Sequence, residues 1–113
     1  MNIQLFGSRK SQDSKKAERW FKERGIRFQY IDVLQKGLSE GEMKSVLRAV
    51  GSFDALLDPH CRDQDALARV QYAAEAQKWE ILLERQQVLL LPIVRNGKEA
   101  TVGYRPEVWK TWE

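Results

Sequence analysis

Two short apolar runs flanking one amphipathic stretch constrain this chain more than any other feature. Ile3, Leu5 and Phe6 stop at Gly7-Ser8, and Ile26 to Leu34 sets Phe28 and Tyr30 against Arg27 and Gln29, so both runs read as strands. Between them Ala17, Trp20 and Phe21 recur at three-and-four spacing among lysines and arginines, and Gly25 stands where a left-handed cap belongs. That pattern predicts a helix from about Asp13 to Arg24. Strand, loop, helix and strand by Leu34 make a βαβ unit, whose right-handed crossover places two parallel strands in one sheet.

The remaining strands come only near the far end. Val88-Leu89-Leu90-Leu91 leads through Pro92 into Ile93-Val94, and Asn96-Gly97 separates that run from Glu99 to Gly103. Asn-Gly predicts an antiparallel hairpin on a type I′ turn, with positive φ at both central positions. Pro106 then opens a short helix, Glu107 to about Trp112. Residues from about 38 to 87 read as entirely helical. Ser39-Glu40-Gly41-Glu42 has capping-box spacing, Met43, Val46, Leu47 and Val50 form an apolar stripe, and Gly51 closes it. Leu56-Leu57-Asp58-Pro59 breaks the chain. Leu67 and Val70 mark a third helix from about Gln64, and Ala76, Trp79, Ile81, Leu82 and Leu83 mark a fourth, or one stretch bent near Ala73-Ala74. The expected class is α/β, one domain over 1–113, its four-stranded mixed sheet (βαβ, then ββα) interrupted by an all-helical insertion.

Length and composition exclude several functions. The chain has 113 residues, 42% of them hydrophobic, enough for one modest core, and its one cysteine rules out a disulfide framework, an iron–sulfur cluster and any zinc site built from several cysteines. No apolar run approaches the ~20 residues that span a bilayer, and the start lacks the pattern of a signal peptide, so a cytoplasmic protein without a membrane role is expected. Net charge is 19 − 16 = +3, unevenly spread: residues 1–30 hold eight basic and three acidic side chains, 31–87 seven and ten, and 88–113 four and three. No reading helix and no basic stripe interleaved with aromatics is visible, which sets nucleic acid aside as an expected partner.

Four features invite a functional reading. Ser8, Arg9, Lys10, Ser11 and Ser14, with Lys15 and Lys16 opposing the helix dipole, suit a small anion at a helix N-terminus. Turn formers with Asp13 or Ser14 as N-cap explain the same residues. Cys61 is a redox candidate if His60 and Arg62 lower its pKa, and otherwise a small buried side chain. His60 has no second histidine or further cysteine beside it, so no metal site is expected. Trp20 and Trp79 read as core. Trp109 and Trp112, three apart, share one helix face that is either core or an exposed contact patch.

The element order, with Leu90-Leu91-Pro92-Ile93-Val94 and Val102-Gly103-Tyr104-Arg105-Pro106-Glu107, resembles the arsenate-reductase-like branch of the thioredoxin superfamily, which includes the Spx regulators. The resemblance covers Ile3 to Trp112. It implies a thioredoxin-like sheet and a cis bond before Pro92, bordering the active loop. It also implies a cysteine, often Cys-x-x-Cys, at the head of the first helix, where the N-terminus and nearby cations stabilise a thiolate. Those positions here are Ser11 and Ser14. A serine hydroxyl ionises far too weakly to replace a thiolate, and no base lies nearby in sequence to activate it.

The family's arginine before the cis-proline is Leu91 here, and its arginine after Val-Gly is displaced by one, Tyr104 preceding Arg105. Asp58 and Arg62 lie near where the insertion would supply another arginine. The resemblance with these losses implies a non-catalytic binding or regulatory member. It would use no cofactor and act through a protein partner, as Spx-type members contact RNA polymerase, or on a small anion or glutathione. The alternative is a thiol-dependent reductase, arsenate- or glutathione-linked, using Cys61 or the retained loop and Pro92.

Overall fold

The computed structural model describes residues 1–112. Four strands, β1 (Ile3–Gly7), β2 (Phe28–Asp32), β3 (Ile93–Asn96) and β4 (Glu99–Val102), form one mixed sheet in the order β2-β1-β3-β4. β1 runs parallel to β2 and antiparallel to β3, with Leu5 opposite both Tyr30 and Val94, and β3 pairs antiparallel with β4. This is the thioredoxin-like α/β sheet expected. The helices are α1 (Gln12–Glu23), α2 (Glu40–Val50), α3 (Gln64–Tyr72), α4 (Glu75–Glu84) and α5 (Pro106–Trp109), with 3₁₀ turns at 54–56, 86–88 and 110–112.

Both faces of the sheet are covered, which is why β1 is apolar at successive positions and not at alternate ones. Ile3, Leu5 and Val94 face α1 and α5, where Ala17, Trp20, Phe21 and Trp109 complete one apolar cluster. Phe6, Ile31 and Ile93 face the other way, into a cluster with Met43, Val46, Leu67 and Leu82 of the insertion. The aromatic stripe of α1 is therefore core, and so is Trp109. Its ring meets Phe21 at 5.0 Å and Trp20 at 5.5 Å between centroids, and its indole N–H donates to Thr101 Oγ1 at 2.8 Å. Trp112 and Trp79 are half-buried against these clusters, Trp79 with Lys44 Nζ 5.8 Å from its ring centre.

Local signals explain most boundaries. Ser39 and Glu42 make the reciprocal capping box, and Gly51 ends α2 at φ 90°. α3 and α4 are separate helices, because Ala73 and Ala74 are both extended (ψ 159° and 153°). The hairpin at Asn96-Gly97 forms with a shifted turn: Asn96 still pairs with Glu99, leaving Gly97 and Lys98 as the central residues. Only Gly97 has positive φ, at 61°, so the turn is not type I′ and needs a glycine in its first central position alone. Strand β3 starts at Ile93, later than the apolar run suggests. Val88 closes a 3₁₀ turn and Leu89 bridges Leu57, and both are buried, while Leu90 and Leu91 are half-buried, so burial and not strand pairing makes the run apolar.

One side chain ties the insertion's two ends together. Gln86 Oε1 accepts from the Leu38 N–H at 2.7 Å, and Gln86 Nε2 donates to Leu38 O at 2.8 Å. Gly37, at φ 71°, passes so close that an added Cβ would lie 2.5 Å from Gln86 Oε1. Gln86→Ala leaves both Leu38 groups unpaired in a half-buried loop, and urea unfolding of that variant is expected to show a loss of about 1–3 kcal/mol.

Candidate functional site

The loop between β1 and α1 is closed by its own serines. Ser11, not Asp13 or Ser14, is the N-cap of α1. It is extended (φ −94°, ψ 117°), and its Oγ accepts from the Ser14 N–H at 3.1 Å. Ser8 Oγ accepts from the Lys10 N–H at 3.2 Å, and Ser8 O accepts from the Ser11 N–H at 3.0 Å. Ser14 is fully buried, its Oγ accepting from the Ser8 N–H at 3.3 Å. Gly7 packs directly on it: an added Cβ there would stand 2.9 Å from both Cβ and Oγ of Ser14. Asp13 in the first turn lies 4.0 Å from Lys16 and offsets one of the two lysines that oppose the dipole.

A cleft of about 580 Å³ opens beside this loop, a size that suits a small ligand or a peptide side chain. Ser8, Lys10, Ser11 and Asp13 line one wall, and Asp58, Arg62, Asp63 and Gln86 of the insertion line the other. Val33, Leu34 and Leu89 to Leu91 supply its apolar surface, and Leu34 is 55% exposed at its rim. The Leu91-Pro92 bond is cis, as the resemblance implies. Pro92 is buried next to the lining residue Leu91, and its carbonyl accepts from the Gly103 N–H at 2.8 Å.

The structure thus brings Ser8, Lys10 and Ser11 to one cleft with Arg62 and Asp58. Arg9, Ser14 and Arg105 do not line it. Arg9 is exposed, Ser14 lies in the core behind the loop, and exposed Arg105 is held by Glu107 at 2.8 Å. Cys61 does not line it either. The thiol is buried, with Sγ 3.6 Å from the Asp63 carbonyl it donates to. Burial pushes the Cys61 pKa up, and the Asp58 carboxylate pushes it further. Sequence proximity to His60 and Arg62 suggested the opposite direction, but the His60 side chain is exposed, and it is only the backbone N–H of His60 that donates to Asp58 Oδ1, at 2.9 Å. Asp63 caps α3: hydrogen bonds from the Ala66 N–H and from Gln87 Nε2 hold its carboxyl below the usual carboxylate range.

Val33, Leu34, Gln86 and Gln87 are cleft residues that sequence reasoning missed. Only Val33 and Leu34, apolar residues that the sequence reading placed at the end of the second strand, carried any signal. Among the described residues no three His, Cys, Asp or Glu side chains gather to hold a metal, and no helix is long and apolar enough to cross a membrane.

No protein-family model matches this chain. It superposes on an ArsC-family-related protein of Bacteroides fragilis with a TM-score of 0.86, at 15% identity, over 100% of this chain and 98% of that one. An arsenate reductase from Vibrio cholerae superposes with a TM-score of 0.81, at 20% identity, over 96% and 94% of the two chains. The chain has an ArsC/Spx-like thioredoxin fold. In sequence it is similar to the global transcriptional regulator Spx 2 of Oceanobacillus iheyensis, 27% identical over 109 residues, which are 95% of this chain and 80% of that protein. In this ArsC/Spx-like frame the cleft lies between the head of α1, the residues before the cis-proline and the insertion.

Proposed function

We propose that this chain is a non-catalytic ArsC/Spx-like protein, a binding or regulatory member that acts through a protein partner in the cytoplasm. The observation that carries the reading is Ser11. In the reductases of this family the head of the first helix holds the reacting sulfur, whereas here the hydroxyl is spent on capping α1. The only thiol, Cys61, is buried away from the cleft with its pKa raised, the wrong direction for a nucleophile at neutral pH. The similarity to a transcriptional regulator supports a role exerted by contact.

The cleft itself is the binding site in this reading. Lys10 and Arg62 face it from opposite walls, and the first-turn N–H groups of Gln12 and Asp13 have no intrahelical acceptor, which suits an anionic or glutathione-like group. Turnover decides between this reading and a reductase. With arsenate plus glutathione, or with a glutathione mixed disulfide, the native protein and Cys61→Ala are both expected to match the blank. Turnover by the native protein that vanishes in Cys61→Ala would overturn the proposal.

A further inference from the structure

The fold sorts charge to opposite sides of the sheet. All eight basic side chains of residues 1–30 are exposed, and those of α1 lie on the side away from the insertion, whereas residues 31–87 carry seven basic and ten acidic side chains. Within α1, Ser14, Ala17, Trp20 and Phe21 are buried, so Lys15, Arg19 and Lys22 project together from the opposite face. They span about 10 Å of helix axis at ~1.5 Å per residue. Arg9 precedes this row and Arg27 follows it, while Lys10 lines the cleft. Lys16 and Lys22 have acidic partners, Asp13 at 4.0 Å and Glu18 at 3.8 Å, and Arg24 stacks 4.0 Å from the Trp20 ring centre. Among the described residues Arg9, Lys10, Lys15, Arg19 and Arg27 have no carboxylate within 4.0 Å. Glu23 is the one exposed acid of α1 likewise left without a cation.

What this face lacks selects its partner. A protein interface is anchored by buried aromatic or aliphatic groups and is depleted in lysine. No large apolar side chain is exposed from Arg9 to Arg27. An exposed row of cations, of which only Lys22 has a carboxylate partner, without an apolar anchor is what a phosphodiester backbone needs, since that contact is electrostatic and indifferent to base sequence. We infer that the outer face of α1, Lys15, Arg19 and Lys22 with Arg9 and Arg27, rests on the phosphate backbone of duplex nucleic acid without reading its sequence. The missing reading helix stays missing, because backbone contact does not require one. The inference goes beyond the cleft and stands whether or not the cleft reading holds.

The test is fluorescence anisotropy of the full chain with a labelled DNA duplex of about 20 base pairs, at ~50 to ~200 mM salt. Four or five phosphate contacts predict a slope of log affinity on log salt near −4, or a few-hundred-fold weakening across that range, with no preference between unrelated sequences. Lys15→Glu, Arg19→Glu and Lys22→Glu together are expected to abolish binding. Arg48→Glu, Arg69→Glu and Lys78→Glu, which change net charge equally on the insertion, are expected to keep the native slope. Replacing the α1 cations with Gln instead, should the reversal not fold, is expected to lower the slope by about 3. Equal loss in the two reversed variants, or no binding by the native protein at low salt, overturns the inference. Competition by polyglutamate as strong as by unlabelled duplex also overturns it, in favour of an acidic protein surface.

Discussion

Trp109→Ala is expected to cost about 3–5 kcal/mol of folding stability, the range for removing a fully buried tryptophan. The ring is 0% exposed and closes the cluster between α1 and α5, with Trp20, Phe21 and Tyr104 all within 5.5 Å between centroids. Truncation leaves a cavity that three large rings cannot fill without leaving their rotamers, and it strands the buried Thr101 hydroxyl that accepts the indole N–H. Against a total of ~5–15 kcal/mol for a domain, such a loss removes about a fifth of the stability or more, and the melting midpoint should fall by more than ~10 °C. Trp79→Ala provides the contrast. That ring is only half-buried, between the insertion and solvent, and the same urea titration should show less than half the effect.

Ser11→Cys in a Cys61→Ala background is expected to produce a thiol whose titration midpoint falls at least one unit below the free value of ~8.5. The side chain sits at the N-terminus of a 12-residue helix, where the dipole and unpaired N–H groups favour negative charge. Its Oγ already accepts the Ser14 N–H, so a thiolate there gains an oriented donor at once. Lys10 and Arg62 line the same cleft and add positive charge, while Asp13, Asp58 and Asp63 oppose them. The midpoint is a better readout than the rate, because nucleophilicity falls as thiolate pKa falls, with a Brønsted coefficient of ~0.4–0.5.

The elements were legible where one local signal sufficed. Ser39 to Glu42 announces α2 because a capping box is satisfied within four residues, and Asn96-Gly97 announces the hairpin because a tight turn needs a glycine. The sequence points to Asp13 or Ser14 as the cap of α1 and not to Ser11, because all three accept hydrogen bonds and only the chain's path into α1 decides among them. Val88 and Leu89 read as strand because burial under any element makes a run apolar. The loop that lines the cleft and the cis-proline behind it could be read, since both lie where the resemblance puts them. Gln86 could not, because its role is to meet Leu38 from 48 residues away. Nor could the state of Cys61: its neighbours in sequence are basic, while burial and Asp58 set its pKa.

The reading as a whole turns on which position in this fold can bear a thiolate. Alkylation rate against pH, measured for the native protein and for Ser11→Cys with Cys61→Ala, compares the two positions directly. The account predicts a midpoint above ~8.5 for Cys61 in the native protein and at least one unit below ~8.5 for the cysteine placed at position 11. A native midpoint below ~8.5, or a position-11 thiol no more acidic than Cys61, would contradict it.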